Sequence, residues 1–195
     1  QTSALIDRAF SELKSAANPK FVYRIFDLSC VEEERICFGN IEIKSKSLGR
    51  NLNGCRRVVL FGATLGIGVD QLMTRKAVTN MAETVVLQAC AAALLEGYCD
   101  ECQEQIAEIV GKQGAFLRPR FSPGYGDFPI DFQRELMQVL DCAKTIGLTM
   151  TESYMMTPVK SVTAVIGISQ TDAGCGGIPC EECGKQDCKY RRDNV

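Results

Sequence analysis

The stretch from Met81 to Gly111 does most to limit what this chain can become. It reads as one helix, about 45 Å long at ~1.5 Å per residue, and any fold has to be laid against it. Its middle, Val85 to Leu95, is Ala-rich and apolar nearly all round, which places that part in the core. Its end, Glu96 to Val110, turns amphipathic, with Tyr98, Cys102, Ile106 and Ile109 inward. Glu96 stands where the two parts meet. A carboxylate there is either a boundary residue or a partner for a ligand ammonium.

The other elements are mixed in order. Thr2 to Ala17 reads as an amphipathic helix with Leu5, Ile6, Ala9, Phe10 and Leu13 on one stripe, stopped by Asn18-Pro19. Phe21 to Leu28 reads as a strand. Arg35 to Lys44 reads as a second strand, broken or bulged at Gly39-Asn40, and a short helix follows near Ser47 to Leu52. Arg57 to Phe61 is a buried strand. Gly62 to Gly68 then carries three glycines ahead of a helix from Gln71 to Thr79, with Asp70 as its N-cap. Strand, glycine loop and helix can cradle a phosphate, but the spacing is not G-x-G-x-x-G and no P-loop lysine is present. A tight strand-to-helix turn is the better reading. Ile130 to Ile146 reads as a helix closed by Gly147. Leu148 to Met156 is strand-like, and Ser161 to Ser169 alternates with Val162, Ala164, Ile166 and Ile168 on one face. Without a regular βαβ beat this is an α+β chain with an antiparallel sheet.

Hydrophobic residues make up 46%, enough for a full core without staples, and the net charge of −2 gives no general attraction to nucleic acid or anionic lipid. No apolar run approaches the ~20 residues of a spanning helix, and no export signal opens the chain. The 11 cysteines and the absence of histidine are unusual. The odd cysteine number and ample core argue against a secreted disulfide scaffold and fit a reducing cytosol, in an anaerobe. Lacking histidine, the chain has no Ser-His-Asp or Cys-His pair, no histidine zinc site and no haem histidine.

Residues 117–127 read LRPRFSPGYGD. Pro119 and Pro123 fix φ and donate no amide, while Gly124 and Gly126 permit positive φ and close approach. The result is a stiff, bent loop. Arg120 offers a five-donor fork suited to a carboxylate or phosphate, and Tyr125 a flat ring with a polar tip. Together they suit a small ligand with an anionic end and a flat end. The plain alternative is a structural turn with a surface arginine.

Arg120 to Tyr125 fits R-x-x-x-G-Y, and after a helix Gly147 to Ser153 fits G-x-x-x-T-E-S. In this the chain resembles the S-adenosylmethionine-binding activation domain of cobalamin-dependent methionine synthase. The resemblance covers roughly Phe21 to Ser169, and Gly62 to Leu95 looks like the small free-standing anaerobic version. It implies a bent antiparallel sheet flanked by helices. It also implies a role in reactivating a corrinoid, with S-adenosylmethionine as the methyl donor that traps Co(I). By the same resemblance, Arg120 grips the ligand carboxylate and Gly124 and Tyr125 hold the adenine end. Glu96 or Asp27 meets the ammonium. The family's segment beyond the last strand is missing here, and Tyr154 is the substitute for any contact made from it. The implied partners are a corrinoid-binding protein or methionine synthase core and a low-potential electron donor, with no nucleic acid and no membrane, in the cytoplasm.

Beyond Gln170 the composition changes abruptly, so residues 1–170 read as the ligand-binding domain and 171–195 as a Cys-rich tail. Cys175-x4-Cys180-x2-Cys183-x4-Cys188 gathers four thiols in a stretch with almost nothing apolar. A [4Fe–4S] cluster ranks first, zinc second because only one C-x2-C pair exists, and disulfides third. The seven other cysteines read as small buried hydrophobes. Two rival functions stand beside reactivation: a non-catalytic S-adenosylmethionine sensor or scaffold for a corrinoid methyltransferase, and a metal-binding structural protein.

Overall fold

The structure, a computed structural model, describes residues 2–171. Six strands form one sheet in the order β3-β2-β1-β4-β8-β5, every pair antiparallel. They are β1 (Lys20–Val31), β2 (Arg35–Phe38), β3 (Ile41–Lys44), β4 (Cys55–Thr64), β5 (Phe116–Leu117) and β8 (Ser161–Ser169). A separate two-stranded ribbon joins β6 (Thr149–Met150) to β7 (Met156–Thr157). The helices are α1 (Thr2–Ala16), α2 (Lys46–Asn51), α3 (Ile67–Thr79), α4 (Met81–Gly111), α5 (Phe132–Val139) and α6 (Cys142–Thr145).

β4 and β8 lie at the centre because both of their faces are apolar. Val59, Phe61 and Ala63 of β4, with Ala164, Ile166 and Ile168 of β8, face a core built with α1, α3 and α4. Val58 and Leu60, with Val165, face a second core built with α2, α5, α6 and the β2–β3 hairpin. The two-residue period of a strand sends alternate side chains to opposite layers. β1 serves both halves of the sheet. Lys20 to Asp27 pair with β4, then the register slips between Leu28 and Cys30 and the strand goes on to pair with β2. That bulge bends the sheet.

α4 keeps its expected bounds. Leu87, Cys90, Ala91, Leu95, Cys99, Cys102, Ile106 and Val110 are buried at helical spacing. Its middle is nevertheless not covered all round: Val85 is 65% exposed, and Ala89, Ala92 and Ala93 are exposed too. One sheet face can cover only one side of a helix. Ile109 also turns outward, and Val110 takes the inward place.

Other expectations are corrected by packing. Residues 35–44 form a hairpin rather than one bulged strand, turning at Gly39 with φ +54°. α3 starts at Ile67, so Asp70 lies within its first turn and accepts the Val159 N–H at 2.8 Å. A Cβ on Gly68 would stand 2.2 Å from the Ala16 carbonyl oxygen, which makes the glycine loop a joint with the end of α1. The helix expected over 130–146 breaks at Asp141, which takes φ +50°, and Leu140 and Cys142 both reach the space over Gly62. Residues 148–156 are mostly a turn between β6 and β7. Cys30 and Cys37 are cross-strand partners joined by a disulfide, Cα–Cα 4.9 Å, rather than separate buried thiols. Cys55, Cys90, Cys99, Cys102 and Cys142 are free and buried as expected. Among the described residues no helix is long and apolar enough to cross a membrane.

Candidate functional site

Residues 117–127 run along the open edge of β8. The Arg118 N–H donates to the Gly167 carbonyl, and Phe121 exchanges both backbone bonds with Val165. Beyond Phe121 the loop turns back on itself, with Gly124 at φ +92° and Gly126 at φ +57°. A Cβ on Gly126 would lie 2.7 Å from the Ser47 hydroxyl, so only glycine lets the loop come this close to α2. Asp127 then clamps it. Its carboxylate accepts from the Ser45 hydroxyl at 2.7 Å and from the Ser47 and Lys46 amides at 2.9 and 2.7 Å. The Ser45 hydroxyl and the two amides hold the Asp127 carboxyl far below the usual carboxylate range. Phe121 of the loop stacks on Phe128, centroids 6.2 Å apart, and Phe132 packs tilted against Phe128 at 5.3 Å.

The loop forms one side of a cleft of about 770 Å³, within the range of small-ligand sites. α4 supplies the second side with Glu96, Asp100 and Gln103. Ser161, Val162 and Thr163 of β8 form the floor, and Gln133 of α5 and Met156 close the far side. The cleft thus spans the sheet edge, from α4 on one face to α5 on the other.

Arg120 reaches across it to α4. Its guanidinium donates to Gln103 Oε1 at 3.0 Å, and its Nη2 to both Glu96 Oε2 at 3.1 Å and Asp100 Oδ1 at 2.7 Å. The arginine side chain is only 17% exposed, whereas the two acids are 64% and 66% exposed. Burial works against the Arg120 charge, but the Asp100 bond and the surrounding negative groups outweigh it and raise its pKa. Beneath it, burial pushes the Cys99 thiol up to about 12, so Cys99 is no nucleophile at neutral pH.

Glu96, Arg120 and Tyr125 therefore line one cleft. Gly124 shapes the turn rather than facing the space, and the amides of Gly124 and Tyr125 are already given to Phe128 and Ser122 carbonyls. Tyr154 is set behind the far side, its carbonyl accepting from Gln133 Nε2 at 3.3 Å. Asp27 is not brought to the cleft. Asp27 shares the register of the lining residue Leu117, through Arg57 and Ile168, but lies three strands across the sheet from it, roughly 14 Å at ~4.8 Å per strand. Cys175, Cys180, Cys183 and Cys188 lie outside the described residues. Asp100, Gln103 and Gln133 were not singled out from the sequence. Asp100 and Gln103 stand four and seven residues after Glu96, hence on one helix face, and that spacing was the available signal.

The chain is an α+β domain with a bent antiparallel sheet, and at the edge of that sheet it carries a cleft in which a half-buried arginine meets two exposed acids. Residues 53–174 match the family described as vitamin B12 dependent methionine synthase, activation domain, and the chain belongs to that family. In fold it is similar to a crystal structure of the MetH reactivation domain bound to AdoHcy, with a TM-score of 0.66 at 16% identity over 93% of this chain and 70% of that one. No curated protein matches the chain by sequence.

Proposed function

We propose that this chain reactivates a corrinoid carried by a partner protein, binding S-adenosylmethionine in the Arg120 cleft as the methyl donor. The arrangement of Arg120 between Glu96 and Asp100 carries the reading. An α-amino acid bears its carboxylate and ammonium on one carbon, and a guanidinium beside carboxylates matches that pair. Arg120 takes the ligand carboxylate, displacing an acid, and Glu96 or Asp100 takes the ammonium. The exchange is eased because both acids are largely exposed and a displaced carboxylate returns to water. The Tyr125 ring, 67% exposed at the cleft, offers a stacking face to the purine.

The ligand supplies its sulfonium methyl to Co(I), whose electron pair forms the carbon–cobalt bond and releases S-adenosylhomocysteine, after an outside low-potential donor has reduced Co(II) by one electron. This chain's residues hold and orient the ligand so that the methyl meets the cobalt. No proton is transferred, which suits a cleft without histidine. Cys175, Cys180, Cys183 and Cys188 would hold a [4Fe–4S] cluster, which would supply one-electron chemistry at low potential. Four thiolates this close in sequence suit such a cluster, and its potentials reach the required range. Zinc would use the same thiols but carry no electron.

The test mixes the protein with a corrinoid protein, a low-potential reductant and S-adenosylmethionine, and follows the Co(II) spectrum. Faster loss of Co(II) only when chain and ligand are both present is expected. Ligand binding with no effect on Co(II) would instead make the chain a sensor or scaffold. Iron and sulfide analysis of anaerobically purified protein tests the tail, and one zinc per chain without iron would refute the cluster.

A further inference from the structure

Gln133 lies in the first turn of α5 and is 4% exposed, so its carboxamide must find partners where it stands. Nε2 donates to the Tyr154 carbonyl at 3.3 Å and lies 3.6 Å from Met150 Sδ. This decides the orientation of the amide, because the flipped form would set oxygen against oxygen at Tyr154. Oε1 is thereby turned away from Tyr154. Among the described residues no donor bonds to it, and it is not among the sealed, unpaired atoms. Gln133 lines the cleft, so a ligand held there can offer the oxygen a donor.

The Tyr154 carbonyl is itself held in place. The Tyr154 N–H donates to the Thr151 carbonyl at 3.1 Å, and the Thr151 N–H to the Met155 carbonyl at 2.9 Å. The Met155 N–H donates to the Thr151 hydroxyl at 3.1 Å, and the Thr151 and Ser153 hydroxyls are 2.9 Å apart. Tyr154 adopts φ +63°, a conformation a tyrosine keeps only when its surroundings impose it, and the Arg134 guanidinium lies 5.5 Å from its ring centroid. None of residues 151–155 lines the cleft. The T-E-S segment therefore reaches the site through Gln133.

We propose that Gln133 is a specificity-determining residue. Its Oε1 accepts a hydrogen bond from the nucleoside half of the ligand, from the purine amino group or a ribose hydroxyl, and the 151–155 turn holds it in that orientation. This rests on the S-adenosylmethionine reading of the cleft. A ligand anchored by its amino-acid end at Arg120, on the α4 side, presents its nucleoside to the α5 side, where Gln133 stands.

Calorimetric titration tests it with four probes: S-adenosylhomocysteine, S-inosylhomocysteine (6-oxo in place of 6-amino), and the 2′-deoxy and 3′-deoxy forms of S-adenosylhomocysteine. Wild-type protein should bind one of the three analogues roughly tenfold more weakly than S-adenosylhomocysteine, the loss of one hydrogen bond to a buried acceptor. The analogue that loses identifies the donor. Gln133→Leu should bind S-adenosylhomocysteine roughly tenfold more weakly than wild type and should no longer discriminate against that analogue. A merely structural role would weaken all four probes alike. Equal affinity of wild type for all four overturns the proposal, and this arm needs no variant to fold. A folded Gln133→Leu that still discriminates also overturns it. Failure of wild type to bind S-adenosylhomocysteine or S-adenosylmethionine at all overturns the cleft reading and this inference together.

Discussion

At Arg120 two carboxylates meet one guanidinium nitrogen, at 3.1 and 2.7 Å, and the side chain holds its place across the cleft before any ligand arrives. Held this way, the fork loses little freedom on binding. Arg120→Ala should weaken S-adenosylmethionine binding roughly ten- to hundredfold, the range for a charge-assisted contact of ~1.5–3 kcal/mol. The upper end is expected because Glu96 and Asp100 would then face the ligand carboxylate without a counter-charge. Arg120→Lys should recover little, since an ammonium cannot reproduce a planar fork. Calorimetry on the three proteins checks this, and an unchanged affinity in Arg120→Ala would remove Arg120 from the site.

Among the elements, the 117–127 loop depends most on distant partners. Backbone bonds to β8 fix its first half and the Asp127 carboxylate fixes its second to α2. A carboxyl depressed in the folded state stabilises above its unfolded pKa, about 3.9, and that contribution fades as pH falls through the window below. Asp127→Ala should therefore lower Tm by a constant amount above about pH 4, with the gap to wild type closing in stronger acid. A gap that stays constant down to about pH 2 would reject the assignment. What the sequence reveals divides along the same line. α4 and β8 are legible because a single apolar period runs unbroken through each. The break at Asp141 is not, because it answers the space over Gly62 on another element. Asp27 reads as a candidate acid until the strand order sets β1 three strands from the cleft residue at its own register, Leu117. Gln133 reads as an ordinary helix residue, because its orientation comes from a carbonyl 21 residues away.

In the whole molecule, α4 brings to the cleft two carboxylates for the single guanidinium of Arg120, and this imbalance outlasts any exchange of partners. S-adenosylmethionine carries one more positive charge than S-adenosylhomocysteine, on the sulfonium. A negatively biased cleft prefers the cation, so methyl transfer itself should loosen the ligand's hold. The preference acts through exposed acids, and screening should erode it over the ~8 Å Debye length of physiological salt. S-adenosylmethionine should bind more tightly than S-adenosylhomocysteine at low ionic strength. The ratio should shrink as salt rises, and it should also shrink in Glu96→Gln and Asp100→Asn. Parallel titrations of both ligands across salt check this, and a ratio indifferent to salt and to both substitutions would show that the acids do not sort the two. The acids that hold Arg120 in the unliganded domain would then also govern turnover, by making the spent ligand the one that leaves.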